Sequence, residues 1–116
     1  MCIRDRYWAQ KAAEEFNGKV SIVDLRTLAP WDRDLVMTQS RKHGRVLVLT
    51  EESATPSFAG ALQGAVQSDC FESLDAPVML LGSEDVPAIP LNGTLEHAML
   101  PNAEKVAAKL RELLEY

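Results

Sequence analysis

The side chains that could do chemistry here sit just after short apolar runs. Asp24 and Arg26 follow one such run, Glu51 and Glu52 a second, and Glu84 with Asp85 a third. If those runs are strands of one parallel sheet, their carboxyl ends bring these charges to a single edge, where ligands of such sheets collect. Paired carboxylates at that edge could act as acid and base if one were desolvated and its pKa raised. The simpler alternative is an ion pair, Asp24–Arg26 or Glu51–Arg26, that orders loops. His43 and His97 are the only histidines, and neither has a Cys, Asp or Ser at a spacing that suggests a triad or a metal site. His43 follows Lys42 at an expected helix C-terminus, where a cation suits the dipole. Gly60, Gly64, Gly82 and Gly93 form neither GxGxxG nor GxxxxGK[ST]. Cys70 falls on an apolar helix face and reads as core rather than nucleophile. With Cys2 it forms no CxxC pair, so neither a disulfide scaffold nor a zinc site is expected. No self-contained active site emerges.

The elements that would position these residues alternate in type. Tyr7–Phe16 has helix-forming composition and stops at Asn17-Gly18. Lys19–Leu25 is β-branched and apolar and predicts a buried strand. Pro30 ends the next loop, Asp32 is the expected N-cap, and a helix runs to His43 before Gly44. Arg45–Thr50 predicts a second strand, of the near-continuous apolar kind that suits a sheet covered on both faces. Glu51–Pro56 reads as polar loop. From Ser57 to Phe71, Phe58, Leu62, Ala65, Val66 and Cys70 recur at helical spacing. Asp75-Ala76-Pro77 breaks that helix, Val78–Leu81 is a third strand, and Gly82–Gly93 is loop. Thr94–Met99 predicts a short helix. Asn102 then caps a last helix with Val106, Leu110, Leu113 and Leu114 on one face. This order implies one α/β domain with right-handed crossovers and a mainly parallel sheet.

Composition agrees with a single packed domain: 116 residues, 47% hydrophobic and 25% charged. The net charge of −5 is uneven. Residues 1–58 hold nine Lys/Arg against eight Asp/Glu, whereas residues 59–116 hold three against nine. That acidic second half speaks against nucleic-acid binding, which needs clustered Lys and Arg. It leaves two readings open, solvated helix faces or a surface for a basic protein partner. Apolar stretches such as Ala76–Leu81 are too short to cross a membrane, and Met1–Arg6 lacks the apolar region of a signal peptide. A cytoplasmic location is the default expectation.

Met1–Arg6 has a further peculiarity. Met-Cys-Ile-Arg-Asp-Arg is what ATG TGT ATA AGA GAC AG plus one base encodes, and that string resembles the transposase end sequence used to fragment DNA. Residues 1–6 are therefore expected to be a non-native leader, with residues 7–116 a partial domain whose gene extends upstream of Tyr7.

Several stretches resemble the C-terminal domain of the transketolase superfamily, most specifically the beta half of thiamine-diphosphate-dependent 2-oxo acid dehydrogenases. Val23-Asp24-Leu25-Arg26-Thr27-Leu28 with Pro30-Trp31-Asp32 is similar to that family's VDLRTL-x-P-[LW]-D. Ser40, Lys42, Gly44 and Arg45 resemble its S-x-x-K-T-G-R, shortened by one residue and with His43 in place of Thr. Val48–Glu52 resembles a strand ending in an acidic residue, with Thr50 where His is common. Cys70-Phe71 and Leu74-Asp75-Ala76-Pro77-Val78 are similar to C-F-x-x-L-[DE]-A-P-[VI] of branched-chain enzymes. Gly82–Asn92 and Leu100–Lys105 resemble the closing segment, most like the subgroup with alpha and beta halves fused. The resemblance covers Ala9–Tyr116.

It implies a three-layer α/β/α domain, lacking its first strand, because the family domain begins with a strand and glycine turn before the first helix. The family's enzymes decarboxylate a 2-oxo acid on thiamine diphosphate and pass the acyl group to a lipoyl arm. The resemblance places cofactor, Mg²⁺ and catalytic histidines in upstream domains, so no catalytic, cofactor-binding or metal residue is assigned and the chain alone is expected to be inactive. It implies a role in association with other domains and subunits of the enzyme and in docking the peripheral binding domain of the acyltransferase core. Glu84, Asp85 and Glu96 are the candidate docking residues. The alternatives are the C-terminal domain of another transketolase-like enzyme and a standalone α/β binding module.

Overall fold

A computed structural model describes residues 3–55 and 57–116. Met1 and Cys2, and Pro56 of the expected 51–56 loop, lie outside the described residues. Six regular elements follow one another after α1 (Ile3–Glu14): α2 (Arg33–His43), β1 (Leu47–Ser53), α3 (Phe58–Cys70), β2 (Met79–Ser83), α4 (Gly93–Met99) and α5 (Ala103–Leu114), with a 3-10 turn at Phe71–Ser73. α1 starts before the expected Tyr7, with Ile3–Arg6 as its first turn.

Local chemistry sets the helix ends. The Asp32 carboxylate accepts from the Leu35 N–H at 3.0 Å, and Gly44 closes α2 in the left-handed region at φ 67°. Ser57 Oγ accepts from the Gly60 N–H, and Asn102 Oδ1 from the Lys105 N–H at 2.8 Å. Each such cap satisfies a helix donor that has no partner within the helix, and contributes about 1 kcal/mol. Asn92 caps α4 in the same way.

β1 and β2 pair in parallel, Leu47 opposite Met79 and Leu49 opposite Leu81, with the register breaking before Ser53. Gly82 permits that break, since a Cβ there would lie 2.7 Å from the Glu52 carbonyl oxygen. Side chains of β1 alternate between two apolar clusters. Val48 joins Val36 and Met37 of α2, Ala59, Val66 and Cys70 of α3, and Val78. Leu47 and Leu49 pack against Ala12 of α1 and Val106, Ala107 and Leu110 of α5. The sheet is thus sandwiched between α2/α3 and α1/α5, the expected layering for a parallel sheet joined by helical crossovers. Cys70 is buried, its thiol against Met37. Leu114 differs from expectation: it is 40% exposed at the end of α5.

The first expected strand is corrected. Lys19–Leu25 belongs to no ladder, so the sheet of the described residues has two strands. Its β-branched pattern survives in the packing, because Val20 reaches the α1/α5 cluster and Leu25 the α2/α3 cluster. What fails is pairing. No backbone hydrogen bond joins it to β1 among the described residues, and Ile22 and Val23 remain exposed. A strand exists only through a neighbour's hydrogen bonds, and β1 faces this segment across a cleft. β1 also runs past Thr50 to Ser53, where loop was expected.

Candidate functional site

The charges that end the first two apolar runs do converge. Asp24, Glu51 and Glu52 line the mouth of a cleft of about 490 Å³ between residues 20–28 and β1. Asp24 sits between two guanidinium groups, Arg26 Nε at 3.4 Å and Arg6 at 3.6 Å. The ion-pair reading of Asp24–Arg26 is therefore realised. Backbone geometry assists it, since Arg26 adopts φ 55° and turns the chain back, with the Thr27 N–H donating to the Leu25 carbonyl.

Glu51 meets a partner that the sequence did not suggest. The Glu51 N–H donates to Asp5 Oδ2 at 3.2 Å. Asp5 Oδ1 and Glu51 Oε2 are both buried without a hydrogen-bond partner among the described residues. Burial pushes the Asp5 carboxyl above its ordinary range, and the Glu51 charge adds to the effect, while the Glu51 N–H opposes it. Asp5 escaped notice because residues 1–6 read as leader, and no sequence spacing links positions 5 and 51. At the other end of the cleft lie His43 and Arg45, the latter with its Nε buried and unpartnered among the described residues.

The remaining candidates lie outside the cleft but at the same carboxyl edge, since β1 and β2 run parallel with Ser53 opposite Ser83. Glu84 and Asp85 are exposed at the start of the 84–92 loop, and Glu96 is half-buried on α4. The Glu84 N–H donates to the Met99 carbonyl at 3.2 Å, which ties the loop's start to the end of α4. Glu96 stands within one turn of Met99, so the three acidic residues share one end of the molecule. Asp85 accepts from the Thr55 hydroxyl, and Glu96 pairs with Arg4 at 3.6 Å. Around them Val86, Ile89, Leu91 and Leu95 are exposed. His97 is exposed on α4. Among the described residues no group of three or more His, Cys, Asp or Glu side chains could hold a metal ion, and no helix is long and apolar enough to cross a membrane.

Comparison with known proteins accords with this layout. The family described as "Transketolase, C-terminal domain" matches residues 6–106. The 2-oxoisovalerate dehydrogenase subunit beta of Bacillus subtilis is 32% identical over 116 residues, all of this chain and 36% of that protein. A chloroplastic pyruvate dehydrogenase E1 component subunit beta-3 of Oryza sativa subsp. japonica is 30% identical over 115 residues, 97% of this chain and 29% of that protein. A mitochondrial 2-oxoisovalerate dehydrogenase subunit beta 2 of Arabidopsis thaliana is 33% identical over 90% of this chain. The chain thus spans about a third of the length of these relatives. With helices on both faces of a parallel sheet and a family match running from Arg6 to Val106, the chain belongs to the transketolase C-terminal domain family.

Proposed function

We propose that this chain is the C-terminal assembly and docking domain of the decarboxylating component of a 2-oxo acid dehydrogenase complex, acting on a branched-chain 2-oxo acid or pyruvate. The observation that carries the reading is similarity along the whole chain to beta subunits of enzymes named for 2-oxoisovalerate and for pyruvate. In this reading thiamine diphosphate with Mg²⁺ serves the full enzyme by stabilising the carbanion left on decarboxylation. The described residues do not fit that cofactor: they lack a metal-ligand cluster and a phosphate-cradling glycine loop. This reading assigns both groups to other parts of the enzyme, and no step of the reaction to this chain.

The role left is recognition. Glu84, Asp85 and Glu96 offer negative charge beside exposed Val86, Ile89, Leu91 and Leu95, a combination suited to a basic partner with an apolar contact. The peripheral binding domain of the acyltransferase core is the proposed partner, alongside the other subunits of the enzyme. Converting Glu84, Asp85 and Glu96 together to lysine should slow association with that domain and flatten its dependence on salt. Unchanged binding by the triple variant would reduce the patch to solvated surface.

A further inference from the structure

The last carbonyls of α4 find few donors in the chain that follows. The Leu100 N–H bonds the Glu96 carbonyl at 2.9 Å, and Pro101 has no N–H to continue the turn. Donors come instead from two distant elements. The Lys105 ammonium donates to the Ala98 carbonyl at 2.6 Å and to the Leu100 carbonyl at 3.0 Å. Between them, the Met99 carbonyl accepts from the Glu84 N–H at 3.2 Å. Three successive carbonyls are thus taken up, and through them α4 is joined to α5 and to the start of the 84–92 loop.

Lys105 stands in the first turn of α5, where the positive end of the helix dipole disfavours a cation. The same charge is favourable at the negative, carboxyl end of α4. One residue therefore serves two helices. The Lys105 N–H donates to Asn102 Oδ1 at 2.8 Å and completes the cap of α5, while the side chain caps α4. Lys105 is half-buried, and Met99, Leu100 and Pro101 are buried. Hydrogen bonds from an ionised donor are strong, the more so away from bulk water. α4 has only seven residues, too few to be stable by itself, and Leu95 and His97 on it are exposed.

We propose that Lys105 is the positioning residue of the acidic docking surface: its ammonium locks the carboxyl end of α4 and so holds Glu96 and the Glu84–Asp85 segment in fixed relation. The part played in docking rests on the function proposed above; the lock itself does not.

Hydrogen exchange of the whole chain, compared with Lys105→Met and Lys105→Arg, reads the lock. Lys105→Met keeps much of the side chain's length and loses the cation. Exchange at the Leu100 and Glu84 amides should quicken about tenfold or more, the factor of one lost charge-assisted hydrogen bond. Amides of β1 and α2 should keep the parent's rates. Lys105→Arg retains a cation and should lose less protection than Lys105→Met. Binding of the peripheral domain of the acyltransferase core gives a second readout, in which the sign is diagnostic. Removing a cation makes this end of the molecule more negative, so charge alone would strengthen capture of a basic partner. The lock predicts the reverse: Lys105→Met should raise Kd about fivefold, because a loosened segment must be ordered on binding. Unchanged exchange at Leu100 and Glu84, quickening that extends equally to β1, or equal losses in the two variants would each overturn the proposal. So would binding by Lys105→Met as tight as the parent's or tighter. A parent chain that does not bind the domain counts against the docking reading alone, and the exchange pattern then decides the lock.

Discussion

Replacing Gly44 by alanine isolates how the end of α2 is tied to the entry of β2. Gly44 sits at φ 67°, where an L side chain costs roughly 1–2 kcal/mol. A Cβ built there lies 2.5 Å from Asp75 Oδ2 and 3.3 Å from the Ser73 carbonyl oxygen. The Asp75 carboxylate is exposed and can swing away, whereas the Ser73 carbonyl is backbone and must give by tenths of an ångström. Moving Gly44 itself is resisted at both peptide groups: its N–H donates to the Ser40 carbonyl at 2.9 Å, and its carbonyl accepts from the Asp75 N–H at 2.7 Å. The left-handed strain therefore dominates, and the total loss should be about 2 kcal/mol. For a domain of this size that corresponds to a fall in Tm of roughly 6–10 °C. Urea melts of three variants separate the causes. Gly44→Asn should cost less than Gly44→Ala, because asparagine tolerates the left-handed region. Asp75→Ala placed on Gly44→Ala should recover only the collision with the carboxylate. An alanine variant as stable as the parent, or one wholly rescued by Asp75→Ala, would refute the assignment to backbone strain.

Three further outcomes are expected. Val66 is fully buried between α3 and the sheet, so Val66→Ala should cost about 2 kcal/mol by urea melts; a loss under half of that would mean the α2/α3 cluster is loosely packed. Asp5 has a raised pKa when folded, so its favourable protonation is complete below pH 3.8 and lost as pH rises through the raised value. Asp5→Asn should therefore flatten the pH dependence above 3.8 and melt higher than the parent at neutral pH; a lower neutral melt would show that the hydrogen bond from the Glu51 N–H outweighs burial. The uncovered edge of β1 should make the chain poorly soluble or self-associating, and an upstream strand supplied ahead of α1 should relieve this; a cleanly monomeric, cooperatively melting chain in sedimentation would contradict it.

Much of the fold was legible because its determinants are local. Asp32, Ser57 and Asn102 cap the helices they were expected to cap, and Gly44 ends α2, since each acts on residues three or four away. Arg45–Thr50 and Val78–Leu81 read as strands because burial on both faces leaves an almost unbroken apolar run. Lys19–Leu25 has the same composition and forms no ladder. Composition encodes which faces are buried, and the faces of this segment are indeed directed to both clusters, but pairing depends on a neighbour that local sequence cannot specify. The site divides in the same way. The Asp24–Arg26 pair lies two residues apart and was visible. The cleft, and the meeting of Asp5 with Glu51 across forty-six positions, arise only from folding.

The proposed function gives this domain no catalytic step and assigns thiamine diphosphate to other parts of the enzyme. Calorimetric titration of the isolated chain with thiamine diphosphate and Mg²⁺ tests it most directly. The account predicts no saturable heat beyond dilution at micromolar concentrations. Stoichiometric micromolar binding would contradict it and would place a cofactor site among residues that show none of the chemistry to hold one.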